Sequence, residues 1–157
     1  MKDKIFIHYG TADFIKEIFL PIENTPCSNK PGKTGLWASP IDSEYGWKDW
    51  CEEENFRECQ ERLSFQFRLS DSARVYVIDG VSDLVNIPHK MGSNGCLLGS
   101  YIDFEEMATK YDAIFLTVEG QWATRLSTEI NLYGWDCESI LVMNPDVIEL
   151  VEAKCKA

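Results

Sequence analysis

The sequence predicts an α+β fold in a single domain over residues 1–157. Short apolar or alternating segments with strand character recur along the chain, and a few segments of helical periodicity separate them. These helical segments do not follow every strand, as they would in a parallel α/β sheet. A length of 157 residues suits one domain with one hydrophobic core, and no linker or internal repeat divides the chain.

The first half of the chain carries three strand signals and two helix signals. Strands are expected where β-branched or alternating apolar residues cluster, and helices where apolar residues recur every three or four positions. In chain order we expect a strand over 4–8, a helix from Thr11 through Phe19, a short strand over 35–40, a helix over 52–63 and a strand over 64–69. Residues 21–35 contain three prolines and are expected to be irregular.

The second half is expected to contain shorter elements around two apolar strands. Asp103 is a good helix N-cap, and the apolar residues after it recur at helical spacing. In chain order we expect a strand over 74–79, a short helix over 82–85, a glycine-rich loop over 91–100, the helix after Asp103, a buried strand over 113–118, and final strands over 140–142 and 147–150. The segment 121–135 fits neither pattern well.

Charge and cysteine content limit the classes of function. The formal net charge is −11, which repels phosphate backbones and disfavours general nucleic-acid binding, although a local basic pocket for one small anion remains compatible with it. No signal peptide or membrane-spanning segment is expected, so the chain is placed in the cytoplasm. The six cysteines form no C-x-x-C pair and are expected to be reduced thiols, and two histidines give no basis for a metal site.

Two acidic residues, Asp136 and Glu138, stand directly before the apolar segment 140–142. A carboxylate at the mouth of a core strand is held by a rigid element, which is how a catalytic group is best positioned. Taken alone, this segment is more commonly explained as two solvated loop acids. Its weight as a candidate site therefore depends on other parts of the chain.

Aromatic residues are concentrated between positions 37 and 50. Trp37 is followed by Tyr45, Trp47 and Trp50. Aromatic side chains bury large areas, so the group could be a packing cluster. It could equally be a stacking platform for the flat ring of a ligand.

Three separated segments together resemble the ADP-ribosyltransferase superfamily, which includes diphtheria toxin and the poly(ADP-ribose) polymerases. They are His8-Tyr9-Gly10-Thr11, Gly32-Lys33-Thr34-Gly35-Leu36-Trp37-Ala38-Ser39 and Glu138-Ser139-Ile140-Leu141-Val142. The family carries a His-Gly-Ser/Thr motif on its first core strand, then a glycine–aromatic strand, then a glutamate that opens a late strand. Tyr9 stands here where the family usually has glycine, and Trp37 where it usually has tyrosine.

The resemblance implies a fold of split antiparallel sheets with a cleft for NAD, and it implies a role for each matching residue. Glu138 would be the catalytic carboxylate, and Asp136 would select or activate the acceptor. The residues implied to bind NAD are His8 at the adenosine-side ribose, Tyr9, Gly10 or Thr11 at the ribose or amide, Trp37 with Tyr45 or Trp47 on the two faces of the nicotinamide, and Ser39 at the carboxamide. Candidates for the pyrophosphate are Lys30, Lys33, Arg57 and Arg62.

The resulting expectation is an NAD-dependent mono-ADP-ribosyltransferase that modifies an intracellular protein. Its small size fits a bacterial or phage toxin or host-takeover effector. Three alternatives stay open: a catalytically inactive NAD- or ADP-ribose-binding module that acts through protein interaction, a structural interaction protein with an acidic face, and an RNA 2′-phosphotransferase of related fold. The acidic charge disfavours the last, because RNA phosphates need basic partners.

Overall fold

A computed structural model describes residues 3–97, 99–127 and 130–151, and a seven-stranded sheet forms its centre. Within these ranges nine strands are present: β1 Phe6–Tyr9, β2 Leu36–Pro40, β3 Ser64–Leu69, β4 Val75–Ile78, β5 His89–Met91, β6 Ser100–Ile102, β7 Ala113–Leu116, β8 Ser139–Val142 and β9 Ile148–Leu150. The large sheet has the order β4-β7-β8-β2-β1-β3-β9, and β5 and β6 form a separate hairpin. Neighbouring strands in this sheet are thus far apart in the sequence.

Three α-helices occur in the same ranges: α1 Trp47–Glu53, α2 Phe104–Lys110 and α3 Val118–Thr124. The α+β class predicted from the sequence is confirmed. Most strand pairs are antiparallel, but β4 pairs with β7 in parallel, which departs from the purely antiparallel pairing implied by the resemblance. None of the helices in the described ranges has both the length and the apolar character needed to cross a membrane.

Two hydrophobic clusters lie on opposite faces of the sheet, because successive side chains of a strand point to opposite sides. On β7, Ile114 and Leu116 belong to one cluster, and Ala113 and Phe115 to the other. Helix α2 covers the first cluster with the buried Phe104 and Met107. Both faces of β7 and β8 are therefore buried, as their uninterrupted apolar sequences suggest.

The helix predicted from Thr11 through Phe19 is wrong. This segment forms only one 3-10 turn, Lys16–Ile18, and the side chains of Ile15 and Ile18 are 50% and 71% exposed. An amphipathic helix derives most of its stability from burying its apolar face against a core, and this segment lacks that burial. Periodicity alone was not sufficient to predict a helix here.

The helix predicted over 52–63 is also wrong, because α1 begins at Trp47 and ends at Glu53. Ser39 of β2 accepts a hydrogen bond from the Trp47 backbone N–H at 2.9 Å, and Asp49 accepts one from Gly46 at 2.8 Å. These bonds satisfy backbone donors at the helix start, as an N-cap does. The bond from Ser39 comes from a distant strand, which no local sequence pattern reveals.

The cysteine prediction is wrong for one pair. Cys27 and Cys96 form a disulfide with a Cα–Cα distance of 5.6 Å, although 69 positions separate them in the sequence. Their spacing gave no signal, since only the folded loops bring them together. Cys51, Cys59 and Cys137 are free thiols, as predicted, and Cys155 lies outside the described residues.

Candidate functional site

The seven-stranded sheet splits between β1 and β2. These strands pair only at Phe6 with Pro40 and at Ile7 with Ser39. Beyond that point β1 continues to pair with β3, and β2 continues to pair with β8. Where the two strands separate, the ring Nδ1 of His8 bonds to the backbone carbonyl of Trp37 at 2.7 Å. A side chain thus replaces the backbone ladder at the split.

A cavity of about 340 Å³ opens beside this split. Three segments, each at one end of a core strand, meet there: the end of β1, the start of β2 and the residues that lead into β8. The lining residues are Ile7, His8, Tyr9, Lys30, Gly32, Gly35, Trp37, Ala38, Ser39, Trp47, Arg57, Trp135, Asp136, Cys137 and Ser139. Four aromatic rings, two cations and one carboxylate are among them, a composition that suits a small ligand with a flat ring and a negative charge.

Glycine at position 35 is required by the backbone. Its φ is +73°, and a Cβ atom there would lie 2.7 Å from Leu141 Cδ1 and 3.1 Å from the Val142 carbonyl oxygen. Only glycine adopts this conformation without a steric penalty. The glycine of the Gly-Leu-Trp segment therefore lets β2 start directly against β8, which sets the position of Trp37.

The imidazole ring of His8 is neutral at pH 7, with one nitrogen that donates a hydrogen bond and one that can accept. Burial lowers its pKa below the ordinary value of 6.5, and the Arg57 charge acts in the same direction, whereas the bond to the Trp37 carbonyl opposes both. Because a carbonyl oxygen can only accept, Nδ1 carries the proton and donates it. The remaining nitrogen, Nε2, is then an acceptor suited to a ligand hydroxyl.

Tryptophan rings form two walls of the cavity. Trp37 meets the buried Trp135 edge to face with ring centroids 4.6 Å apart. Trp47 stacks on Trp50 at 5.0 Å, and the guanidinium of Arg57 lies 5.5 Å from the Trp47 ring. The aromatic cluster expected from the sequence is thus partly a packing cluster, and it also presents Trp37 and Trp47 to the cavity.

Two cations reach the cavity. Arg57 Nη2 donates to the Tyr9 carbonyl at 3.4 Å, and among the described residues it forms no ion pair with a carboxylate. Lys30 Nζ lies 3.0 Å from Asp136 Oδ2. These two are the members of the expected pyrophosphate set that the cavity contains, whereas Lys33 and Arg62 do not line it. The cavity is locally basic in a chain of net charge −11.

The hydroxyls of Ser39 and Ser139 lie close to the thiol of Cys137, which lines the cavity. Cys137 Sγ lies 3.5 Å from Ser139 Oγ and 3.8 Å from Ser39 Oγ, and burial raises the pKa of Cys137. The Ser39 hydroxyl donates to the Glu138 carbonyl at 2.9 Å while it accepts from Trp47. Its hydrogen is already used, so the expected donation by Ser39 to a carboxamide requires this bond to break.

The structure brings together six of the ten expected site residues: His8, Tyr9, Trp37, Ser39, Trp47 and Asp136 line the cavity. Gly10 and Thr11 lie beyond β1 and are exposed, and Thr11 bonds locally to Asp13. The hydroxyl of Tyr45 is engaged with Glu53, which raises the pKa of Tyr45 above its ordinary range. These three residues do not line the cavity.

Glu138 does not line the cavity either. Both neighbours, Cys137 and Ser139, line it, whereas Glu138 lies in the bend that precedes β8 and its side chain is outside the lining. Its residue is only 8% exposed, and its backbone is fixed by bonds to Tyr45 and Ser39. Among the described residues its carboxylate has no hydrogen-bond or ion-pair partner. The segment that leads into β8 therefore places Asp136, rather than Glu138, in the cavity wall.

Sequence reasoning missed several lining residues, chiefly Trp135, Cys137 and Ser139. A signal for them existed, since they flank the two acids that were singled out. Their placement, however, depends on the path of the chain into β8, which no local sequence pattern reveals.

Comparisons with known protein families, with curated proteins and with solved structures found no match for this chain.

Proposed function

We propose that this chain is an NAD-dependent mono-ADP-ribosyltransferase that transfers ADP-ribose to a protein acceptor. One observation carries the proposal. The three segments of the resemblance lie far apart in the sequence, yet they lie on β1, β2 and β8, which are neighbours in the sheet. The cavity lies at their junction, where the sheet splits between β1 and β2. This arrangement agrees with a cleft between split sheets.

The cavity supplies the groups that NAD binding requires. Trp37 and Trp47 offer aromatic faces for the flat nicotinamide ring. Nε2 of His8 can accept a hydrogen bond from a ribose hydroxyl, because Nδ1 carries the proton. Arg57, without an ion-pair partner in the described part of the chain, is available for the diphosphate. Each contact fits one portion of the dinucleotide.

The reaction breaks the bond between nicotinamide nitrogen and ribose C1′. The bonding electron pair leaves with nicotinamide, so positive charge develops on the ribose, as in glycoside hydrolysis. The acceptor then attacks C1′ with a lone pair and releases its proton to the solvent. A preorganised carboxylate stabilises the cationic ribose through space, and the aromatic walls exclude water that would weaken this attraction.

Purified protein with NAD gives the first test. We expect NAD to bind and nicotinamide to be released, both reduced in His8→Ala. The control is Glu149→Gln, a surface carboxylate of the edge strand β9 that pairs with Arg68 and should change neither measurement. Wild-type protein that neither binds NAD nor releases nicotinamide would overturn the proposal.

A catalytically inactive module that binds NAD or ADP-ribose is the second candidate. It is favoured by the position of Glu138, because the residue matched to the catalytic glutamate does not line the cavity. Binding of NAD without nicotinamide release, in the presence of a cell lysate that supplies acceptors, would identify this module. Both candidates use the same cavity, and only the enzyme requires a carboxylate in it.

The setting is part of the proposal: an intracellular, cytoplasmic toxin or host-takeover effector of bacterial or phage origin. It rests on the resemblance. The disulfide between Cys27 and Cys96 argues against a cytoplasmic location, because such bonds are rare in a reducing cytosol. Assays should accordingly be run with and without a thiol reductant, and activity under reducing conditions is expected for a cytoplasmic enzyme.

A further inference from the structure

Lys30 and Asp136 form an ion pair in the wall of the cavity. Nζ lies 3.0 Å from Oδ2, and the side chains are 42% and 22% exposed, so both can contact a ligand. The second carboxylate oxygen, Oδ1, accepts no hydrogen bond from any described residue. One oxygen is thus held by the protein, and the other is left for a ligand.

The two loops that carry this pair are locked together by the residues next to it. The indole N–H of Trp135 donates to the Asn29 carbonyl at 2.6 Å. The Asn29 side chain donates to the Asn131 carbonyl at 2.7 Å and accepts from the Ile102 N–H at 2.8 Å. Asn29 is 8% exposed and Trp135 is 1% exposed. Buried hydrogen bonds of this kind hold the backbone of a neighbouring functional group in one position.

We propose that Asp136, held by Lys30, is the carboxylate that stabilises the cationic ribose, so that Lys30 is a positioning residue for catalysis. This inference rests on the proposed function and departs from the resemblance, which assigns the catalytic role to Glu138 and acceptor selection to Asp136. The reason is geometric. Asp136 is the carboxylate among the cavity-lining residues, and an electrostatic interaction weakens with distance and with intervening water.

Asp136 forms no covalent bond in this step. The electron pair of the broken bond leaves with nicotinamide, and the acceptor supplies the pair for the new bond to C1′. Oδ1 faces the developing charge, while Lys30 keeps Oδ2 in place. Because the ribose becomes cationic only in the transition state, the carboxylate acts on turnover more than on ground-state binding.

The test compares Asp136→Asn with Glu138→Gln, using nicotinamide release from NAD. We expect Asp136→Asn to lower kcat by a factor on the order of 10²–10³ with KM for NAD nearly unchanged. Its loss should exceed that of Glu138→Gln at least about tenfold. Both replacements keep a polar side chain of similar size, and thermal midpoints measured on the same samples identify any variant that has lost its fold. Glu149→Gln again serves as the control.

Lys30 is tested by a pair of variants. Lys30→Met removes the cation and should lower kcat while KM for NAD stays close to that of the wild type, whereas Lys30→Arg keeps an ion pair and should restore much of the loss. In the Asp136→Asn background, Lys30→Met should have little further effect, because the two residues act as one unit. A merely structural role for Lys30 would not give this dependence on Asp136.

Each contrary result has a distinct meaning. If wild-type protein cleaves NAD and Asp136→Asn keeps its kcat while Glu138→Gln loses it, the inference is overturned and the proposed function stands. If Lys30→Met raises KM and leaves kcat unchanged, Lys30 binds the ligand and the positioning role is overturned. If wild-type protein neither binds nor cleaves NAD, the proposed function and the inference fall together.

Discussion

Trp37 connects the buried core to the cavity, so its two roles must be measured separately. Its ring packs against the buried Trp135 and also lines the cavity. We expect Trp37→Ala to weaken NAD binding by roughly 0.5–1.5 kcal/mol beyond the lost burial if the indole stacks on nicotinamide. Calorimetric titration gives the affinity, and thermal unfolding of the same sample gives the stability.

The matched control is Trp122→Ala, because Trp122 is 68% exposed and does not line the cavity. It should alter neither NAD affinity nor the thermal midpoint by much. A Trp37→Ala protein that loses stability while its folded fraction binds NAD normally would show that Trp37 is only a packing residue.

His8 predicts how NAD affinity depends on pH. Burial lowers the pKa of His8 below 6.5, so Nε2 remains an acceptor at neutral pH. As pH falls below 6.5 and passes the pKa of His8, protonation converts Nε2 to a donor, and we expect NAD affinity to fall. His8→Gln should remove this acid-side loss, whereas His89→Gln, at an exposed ring outside the cavity, should preserve it.

The same pKa shift has a consequence for stability. The unfolded chain takes up a proton near pH 6.5, and the folded chain takes it up only at lower pH. The unfolded state therefore binds more protons between these values, and the contribution of His8 to stability is present above 6.5 and is lost as pH falls through the folded pKa. Urea unfolding of the wild type and of His8→Gln between pH 7 and 5 measures this contribution. If the unfolding free energy changed equally with pH in the two proteins, the lowered pKa of His8 would be contradicted.

At the scale of elements, Ser39 joins β2, α1 and the start of β8. It is 3% exposed, accepts from the Trp47 N–H and donates to the Glu138 carbonyl. Ser39→Ala leaves both partners without this hydrogen bond, and we expect the free energy of unfolding to fall by about 1–3 kcal/mol. Chemical denaturation measures the change, and Ser72→Ala on an exposed turn should cost far less.

Strands were easier to predict than helices in this chain. The alternating pattern of Ser64–Leu69 and the apolar run of Ser139–Val142 are local properties, and both strands were found. Helix α2 was found because its cap, Asp103, lies in the same segment and accepts from the Glu106 N–H at 3.1 Å. Helix α1 was misplaced because its first bond comes from Ser39, which belongs to a distant strand.

The candidate site shows the same limit. The order of the motifs placed His8, Trp37 and Asp136 on or next to core strands, and all three line the cavity. Glu138 was expected in the same cleft and does not line the cavity. Its position depends on the path of the bend before β8, which no local sequence pattern reveals.

At the scale of the whole molecule, the disulfide joins two loops that lie far apart in the sequence. Cys27 lies three residues before Lys30, and Cys96 lies in the loop between β5 and β6. Closing a loop of this length restricts the unfolded chain, and we expect reduction to lower the free energy of unfolding by about 2–4 kcal/mol. Denaturation with and without reductant measures this, and a Cys96→Ser variant should be insensitive to the reductant.

The acidic surface and the basic cavity should also differ in their response to salt. A net charge of −11 repels an anionic ligand at long range, whereas the charge of Arg57, unpaired among the described residues, attracts it inside the cavity. Salt screens exposed charges over about 10 Å at 0.1 M, so it weakens the long-range repulsion as well as the local attraction. We expect NAD affinity to depend only weakly on salt, and a titration between low and moderate salt measures it. A steep loss of affinity would show that the local attraction dominates.

The central claim is that ADP-ribose passes from NAD to a protein at this cavity. Its most direct test is incubation of the chain and a cell lysate with NAD labelled on the adenine half, followed by detection of label on protein. We predict labelled protein with the wild type and with Glu149→Gln, strongly reduced labelling with Asp136→Asn, and reduced labelling with Trp37→Ala when NAD is below saturation. No labelled protein with the wild type would contradict the claim, and equal labelling by all four proteins would show that the transfer does not use this cavity.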